Sequence, residues 1–232
     1  MTPTMPGRRR RASALARSLP LTLALSLVLS LGLAACRPRG EVPNACRLPP
    51  GATVLAIGDS LTRGHGADGQ GYAEQLQALL ARDGSAHAGV EVVNLGIDGE
   101  RSAGLRARID DALAAHRPAV VLITSGGNDF LRRVAADETR AHLRAVVDRV
   151  RAAGATPMLF AVPAPTLGAA VGLAEAHPLY AELAGDTGVH VIDDVVADVL
   201  SRDALRSDRI HPNAAGYARM AQAAFDALQR CR

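Results

Sequence analysis

The chain has 232 residues, 48% of them apolar and 3% aromatic, with no Trp and a formal net charge of +3. That length suits one domain with additional segments. Five of the 26 basic residues lie within the first 35 residues, which carry no acid; the remainder holds 21 basic against 23 acidic groups, a net of −2, which excludes a basic nucleic-acid-binding face.

The first 35 residues read as a leader, not as part of a fold. Arg8, Arg9, Arg10, Arg11 and Arg17 make a positive start, and Ser18 to Ala35 is an uncharged run dominated by Leu and Ala. This is the pattern of a secretory signal, although a run of that length also suits a membrane-spanning helix. Its ending favours the signal: Leu33-Ala34-Ala35-Cys36 places two small residues before a cysteine. That spacing resembles the lipobox of bacterial lipoproteins. The resemblance implies a lipid on Cys36, cleavage just before it, and a protein held at the periplasmic face of a membrane. Pro38, Pro43, Pro49 and Pro50 then mark a short tether. The expected partition is a signal peptide over 1–35, a lipid-anchor tether over 36–50 and a folded domain over 51–232. Cys46 and Cys231 sit at the two ends of that domain. Domain termini often lie close together, and export permits oxidation, so a disulfide between them is the expectation and two free thiols the alternative.

Within the domain, apolar runs alternate with amphipathic stretches. The runs are Thr53–Ile57, Val90–Leu95, Ala119–Thr124, Thr156–Val162 and Val189–Ile192. They are aliphatic on both faces, as in buried parallel strands. Helical periodicity falls near 72–83, 102–116, 137–153 and 170–186, with a last helix over about 212–229 opened by Pro212. Strand-helix alternation predicts right-handed crossovers and a three-layer α/β sandwich.

Ligands of such sheets bind beyond the carboxyl ends of the strands. After the first run stands Gly58-Asp59-Ser60-Leu61, and after the second Gly96-Ile97-Asp98-Gly99. The third is followed by Ser125-Gly126-Gly127-Asn128-Asp129, and Asp208-Arg209-Ile210-His211 precedes the last helix. Each alone is ordinary turn or cap chemistry. In this order and at these strand ends, the four together resemble the sequence blocks of the SGNH (GDSL) hydrolases, over about residues 53–228. The nearest branch is that of the small bacterial thioesterases, lysophospholipases and arylesterases. The resemblance implies a five-stranded parallel flavodoxin-like sheet in the order 2-1-3-4-5. It also implies Ser60 as nucleophile, Asp208 and His211 as its partners, and Ser60, Gly99 and Asn128 as oxyanion-hole donors. Gly96 is a rival to Gly99.

The chemistry agrees independently. A serine hydroxyl is a weak nucleophile until a base takes its proton, and an imidazole titrates near neutrality. Asp208 lies three residues before His211, within reach to orient the ring and stabilise its charged form. No Gly-x-Ser-x-Gly elbow, dinucleotide fingerprint or phosphate loop is present. Asp208 and His211 are also metal-ligand types, but no third ligand clusters with them in the sequence, so neither metal nor cofactor is expected. His65, His87, His116, His142, His177 and His190 are assigned to loops or polar helix faces without catalytic work. Asp59 and Asp129 are read as loop scaffolding.

The segment 163–173 is apolar and uncharged, which suits an acyl chain better than a sugar. The expected activity is therefore hydrolysis of acyl esters or thioesters by a monomer acting on a small-molecule or lipid substrate. A carbohydrate O-acetylesterase is the alternative enzyme. A non-catalytic lipoprotein binding module of the same fold is the alternative of another class.

Overall fold

The structure is a computed structural model that describes residues 46–164 and 173–231. The leader, Cys36 and most of the 163–173 segment lie outside the described residues. Five parallel strands form one sheet: β1 (Thr53–Gly58), β2 (Glu91–Gly96), β3 (Val120–Thr124), β4 (Thr156–Phe160) and β5 (His190–Ile192). Their spatial order is β2-β1-β3-β4-β5, with Leu55 opposite both Val93 and Val121. β1 and β3, flanked on both sides, are buried almost throughout, whereas edge strand β2 is only partly covered. This is why the inner strands read as unbroken aliphatic runs.

The helices are α1 (Ser60–Arg63), α2 (Tyr72–Arg82), α3 (Ser102–His116), α4 (Gly127–Leu131), α5 (Ala136–Ala152), α6 (Leu179–Thr187), α7 (Val195–Leu200) and α8 (Ala214–Leu228). From β1 the chain first steps to β2 and then crosses back to β3. Right-handed crossovers in opposite directions put their helices on opposite faces. Accordingly α2 packs with α8, while α3 packs with α5 and α5 with α6. Helix α5 buries Leu143, Val146, Val147 and Val150, an i, i+3, i+4, i+7 spacing that makes one apolar stripe. Each such fully buried aliphatic side chain contributes about 1.5–3 kcal/mol. Among the described residues, no helix is long and apolar enough to cross a membrane.

Two expectations need correction. Helix α6 starts at Leu179, not 170, because residues 173–177 lie outside any helix and Ala176 bridges Pro163. Pro178 then occupies the N-cap. Pro212 precedes α8 without entering it; Asn213 is the cap, its side chain accepting from the Gly216 N–H at 3.1 Å. The short helices α1, α4 and α7 carry no readable period of their own. Cys46 and Cys231 are joined as a disulfide.

Candidate active site

The sheet order carries the site. Because β1 lies between β2 and β3, the loops after all three strands meet at one edge. Ser60 begins α1 directly after β1, Gly99 follows β2, and Asn128 sits in the first turn of α4 after β3. Asp59 caps α1 by accepting from the Leu61 N–H at 3.0 Å. That cap fixes the sharp strand-to-helix turn on which Ser60 stands.

His211 Nε2 lies 3.0 Å from Ser60 Oγ, and His211 Nδ1 lies 2.8 Å from Asp208 Oδ2. An ionised carboxylate only accepts, so Nδ1 carries the proton and the Nε2 lone pair faces the serine hydroxyl. The other Asp208 oxygen accepts from the N–H groups of Ile210 and His211, both at 2.8 Å. Partial burial pushes the Asp208 carboxyl upward, but the bonds from the His211 ring and from these two N–H groups outweigh it and hold it low. The four-residue turn from Asp208 to His211 is thus a self-contained unit that orients the imidazole.

The donors implied for an oxyanion lie beside this pair. Among the described residues, neither the Ser60 N–H nor the Gly99 N–H has a hydrogen-bond partner. The Asn128 amide gives one N–H to the Glu100 carbonyl at 3.1 Å, which leaves its second for a ligand. The rivalry between Gly96 and Gly99 has a steric answer. A Cβ on Gly96 would stand 2.1 Å from the Arg63 nitrogen, so its role is to let α1 approach β2. Gly99 instead takes a left-handed turn, φ +74°, that places its own N–H in the loop after β2.

A cavity opens on Ser60, Asn128 and His211, and its other walls are largely apolar: Leu131, Val162, Pro163, Leu200 and Ile210. Of the expected acyl wall, Pro163 and Ala164 line it, and residues 165–172 fall outside the described residues.

Several supporting residues were invisible in the sequence. All three tyrosines of the chain are buried, and each ties a site loop to a distant element. The Tyr180 hydroxyl donates to the Ser125 carbonyl at 2.7 Å, the Tyr217 hydroxyl donates to the His65 carbonyl at 3.0 Å, and Tyr72 Oη stands 3.5 Å from the hydroxyls of both Thr62 and Thr124. Arg108, from α3, bonds Glu100 and the Leu95 carbonyl. Ser102 gives its hydroxyl proton to Asp129 at 2.7 Å and its backbone N–H to the same carboxylate, and stands 3.1 Å from His142 Nδ1. Asp129 thereby pins the Asn128 turn to α3. A scarcity of tyrosine in the chain was the only available hint.

Three readings change here. His87 is buried and pairs with Asp83 at 2.7 Å, so it does not sit on a polar face. His142 joins the chain through Ser102. His65 lies against His211, ring centroids 4.3 Å apart and planes tilted by 39°. Asp59 is scaffolding as expected, yet its carboxyl holds its proton unusually well: burial above all, and then the Glu100 and Asp129 carboxylates, raise its pKa to about 7.

Residues 56–219 match the GDSL-like Lipase/Acylhydrolase family. Esterase TesA of Pseudomonas aeruginosa is 39% identical over 114 residues, which cover 49% of this chain and 55% of that protein, about half of its length. Thioesterase 1/protease 1/lysophospholipase L1 of Escherichia coli K12 is 31% identical over 162 residues, 69% of this chain and 76% of that protein. A crystal structure of TesA superposes with a TM-score of 0.68 at 29% identity, over 78% of this chain and 99% of that one. The fold, the four sequence blocks and these likenesses agree: the chain belongs to the GDSL-like lipase/acylhydrolase family.

Proposed function

We propose that the protein is a serine esterase that hydrolyses acyl esters or thioesters of the lysophospholipase, arylesterase or thioesterase kind. The observation that carries this is the 3.0 Å approach of His211 Nε2 to Ser60 Oγ at the mouth of an apolar cavity. His211 takes the hydroxyl proton as Ser60 Oγ attacks the ester carbonyl. The oxyanion that forms meets the N–H groups of Ser60 and Gly99 and the Asn128 amide, and one such donor is typically worth about 2.7–4 kcal/mol of barrier. His211 returns the proton to the leaving alcohol or thiol, which leaves an acyl ester on Ser60. Water, deprotonated by His211, then releases the acid. The residues need no metal or cofactor for any of these steps. The names of the TesA and thioesterase 1 relatives support the same substrate class, and the apolar cavity walls favour an acyl group over a sugar.

The test is hydrolysis of p-nitrophenyl acetate, butyrate and decanoate by the wild type and by Ser60→Ala. A chain-length profile that vanishes in the variant supports the reading. Undiminished hydrolysis by Ser60→Ala overturns it.

We further propose that the leader is cleaved before Cys36 and that lipid on Cys36 holds the enzyme at the periplasmic face of a membrane, with the folded domain as a monomer. The Leu33-Ala34-Ala35-Cys36 spacing supports this. Incorporation of labelled fatty acid should be lost in Cys36→Ala.

A further inference from the structure

We propose that His65, Asp208 and His211 form an inhibitory site for a transition-metal dication of the zinc class. Asp208 and His211 lie three residues apart, and the sequence offers no third ligand near them. The fold supplies one. One ligand atom from each of His65, Asp208 and His211 lies within 4.8 Å of the other two. His65 enters from the loop after α1, where its N–H donates to the Ser60 carbonyl at 3.1 Å and its own carbonyl accepts from Tyr217, so its backbone is fixed. Its side chain and that of Asp208 remain about half exposed, which gives an ion a path from solvent.

The donor set selects the ion. Two imidazoles and one carboxylate suit zinc, copper or nickel, whereas magnesium and calcium favour all-oxygen sites. A tetrahedral zinc ion, with bonds of about 2.0–2.1 Å, draws its ligands to about 3.3 Å apart, so the side chains close by no more than about 1.5 Å. A further carboxylate stands beside His65, with Asp98 Oδ2 3.7 Å from His65 Nδ1. Carboxylates placed behind ligating histidines fix the ring and raise its basicity.

The consequence is inhibition. Asp208 Oδ2 stands 2.8 Å from His211 Nδ1, so an ion shared by these two residues takes the Nδ1 position and breaks the bond that orients the ring. The ring proton then sits on Nε2, the nitrogen that must accept from Ser60 Oγ, so metal binding and base catalysis exclude each other and the site acts as a brake that a fall in free zinc releases. The inference rests on the esterase reading only for its activity readout; binding can be measured without it.

The experiment uses the purified full-length protein, with Zn²⁺ added to the hydrolysis of p-nitrophenyl butyrate and, separately, to a calorimetric titration. Zn²⁺ should inhibit and EDTA should restore activity, while Mg²⁺ and Ca²⁺ should do neither. His65→Ala should raise the half-inhibiting Zn²⁺ concentration, measured against that variant's own activity, at least about tenfold. His65→Cys, which keeps a ligand, should retain inhibition. Equal Zn²⁺ sensitivity and equal calorimetric binding in the wild type and His65→Ala overturn the metal site. Zinc binding that depends on His65 in a protein without hydrolysis leaves the metal site standing and removes the esterase reading instead.

Discussion

The guanidinium of Arg108 and the carboxylate of Glu100 meet at two points, Nε to Oε1 at 2.6 Å and Nη2 to Oε2 at 2.7 Å. The same Nη2 donates to the Leu95 carbonyl at 2.8 Å and reaches the Gly58 carbonyl at 3.4 Å. One side chain of α3 therefore ties together the carboxyl ends of β1 and β2 and the residue whose carbonyl holds the Asn128 amide. Glu100 is 7% exposed and Arg108 23%, so both charges depend on each other.

Removing one partner of such a pair leaves the other uncompensated, at a cost of about 3–5 kcal/mol. Arg108→Met should lose stability on that scale and lower kcat more than it raises KM, because it loosens donors that act in the transition state. The double variant Arg108→Met, Glu100→Gln should recover much of the stability. Denaturant midpoints and steady-state kinetics on the single and double variants check this. A double variant no more stable than Arg108→Met would show that the pair is not the cause.

The fold was largely legible because each inner strand is buried on both faces and so writes an unbroken aliphatic run, as Thr53–Gly58 and Val120–Thr124 do. The Ser60–His211–Asp208 contact was legible because Asp208 and His211 share one turn and Ser60 follows a strand directly. What stayed hidden depends on long-range contact. His65 meets His211 across 146 residues of chain, and nothing local to either marks the pair. Arg108 and Ser102 lie on a helix whose period explains its buried face and conceals their bonds to neighbouring loops. The expected helix from 170 failed for a local reason: Pro178 disfavours the helical conformation for the residue before it, and the helix starts at Leu179 with Pro178 as its N-cap.

Asn128 and Asp208 should fail differently. Asn128→Ala should lower kcat by about 10²–10³ with little change in KM, since its free N–H acts on the developing oxyanion. Asp208→Ala should also lower kcat but leave the Ser60 hydroxyl slowly reactive toward a fluorophosphonate, because the imidazole remains in place and only its orientation is lost. His211→Ala should abolish labelling. Labelling rates beside kcat and KM for the three variants decide the matter; equal labelling in His211→Ala and wild type would remove the assigned base.

The Cys46–Cys231 disulfide spans 185 residues, nearly the whole domain. Closing so long a loop restrains the unfolded chain by up to about 5 kcal/mol in the chain-entropy description. Cys46→Ser should therefore lower unfolding stability by about 2–5 kcal/mol while leaving kcat nearly unchanged. The bond joins the two ends of the described domain, and neither cysteine lines the cavity of the site. Unfolding of wild type with and without reductant provides the control: reductant should shift the wild type to the variant's midpoint and leave the variant where it is.

Asp59 gives the fold a pH dependence of unusual sign for a carboxylate. Burial and the nearby Glu100 and Asp129 charges raise its pKa from 3.8 to about 7, so the folded protein keeps a proton there that the unfolded chain has already released. A raised carboxyl favours the folded state below the unfolded pKa, and that contribution fades as pH rises through about 7. The displacement corresponds to up to about 4 kcal/mol. Asp208 runs the other way: its lowered pKa contributes above the unfolded value and is lost on acidification, so the two windows separate. Asp59→Asn keeps an oxygen for the Leu61 N–H and removes the ionisation. Its stability relative to wild type should increase from pH 4 to pH 8 and level off above that, while groups common to both proteins cancel in the difference. Urea unfolding of both at pH 4.5, 6, 7.5 and 9 measures it. A difference that is constant across that range would mean that Asp59 ionises as an ordinary carboxylate and that the turn beneath Ser60 carries a full negative charge.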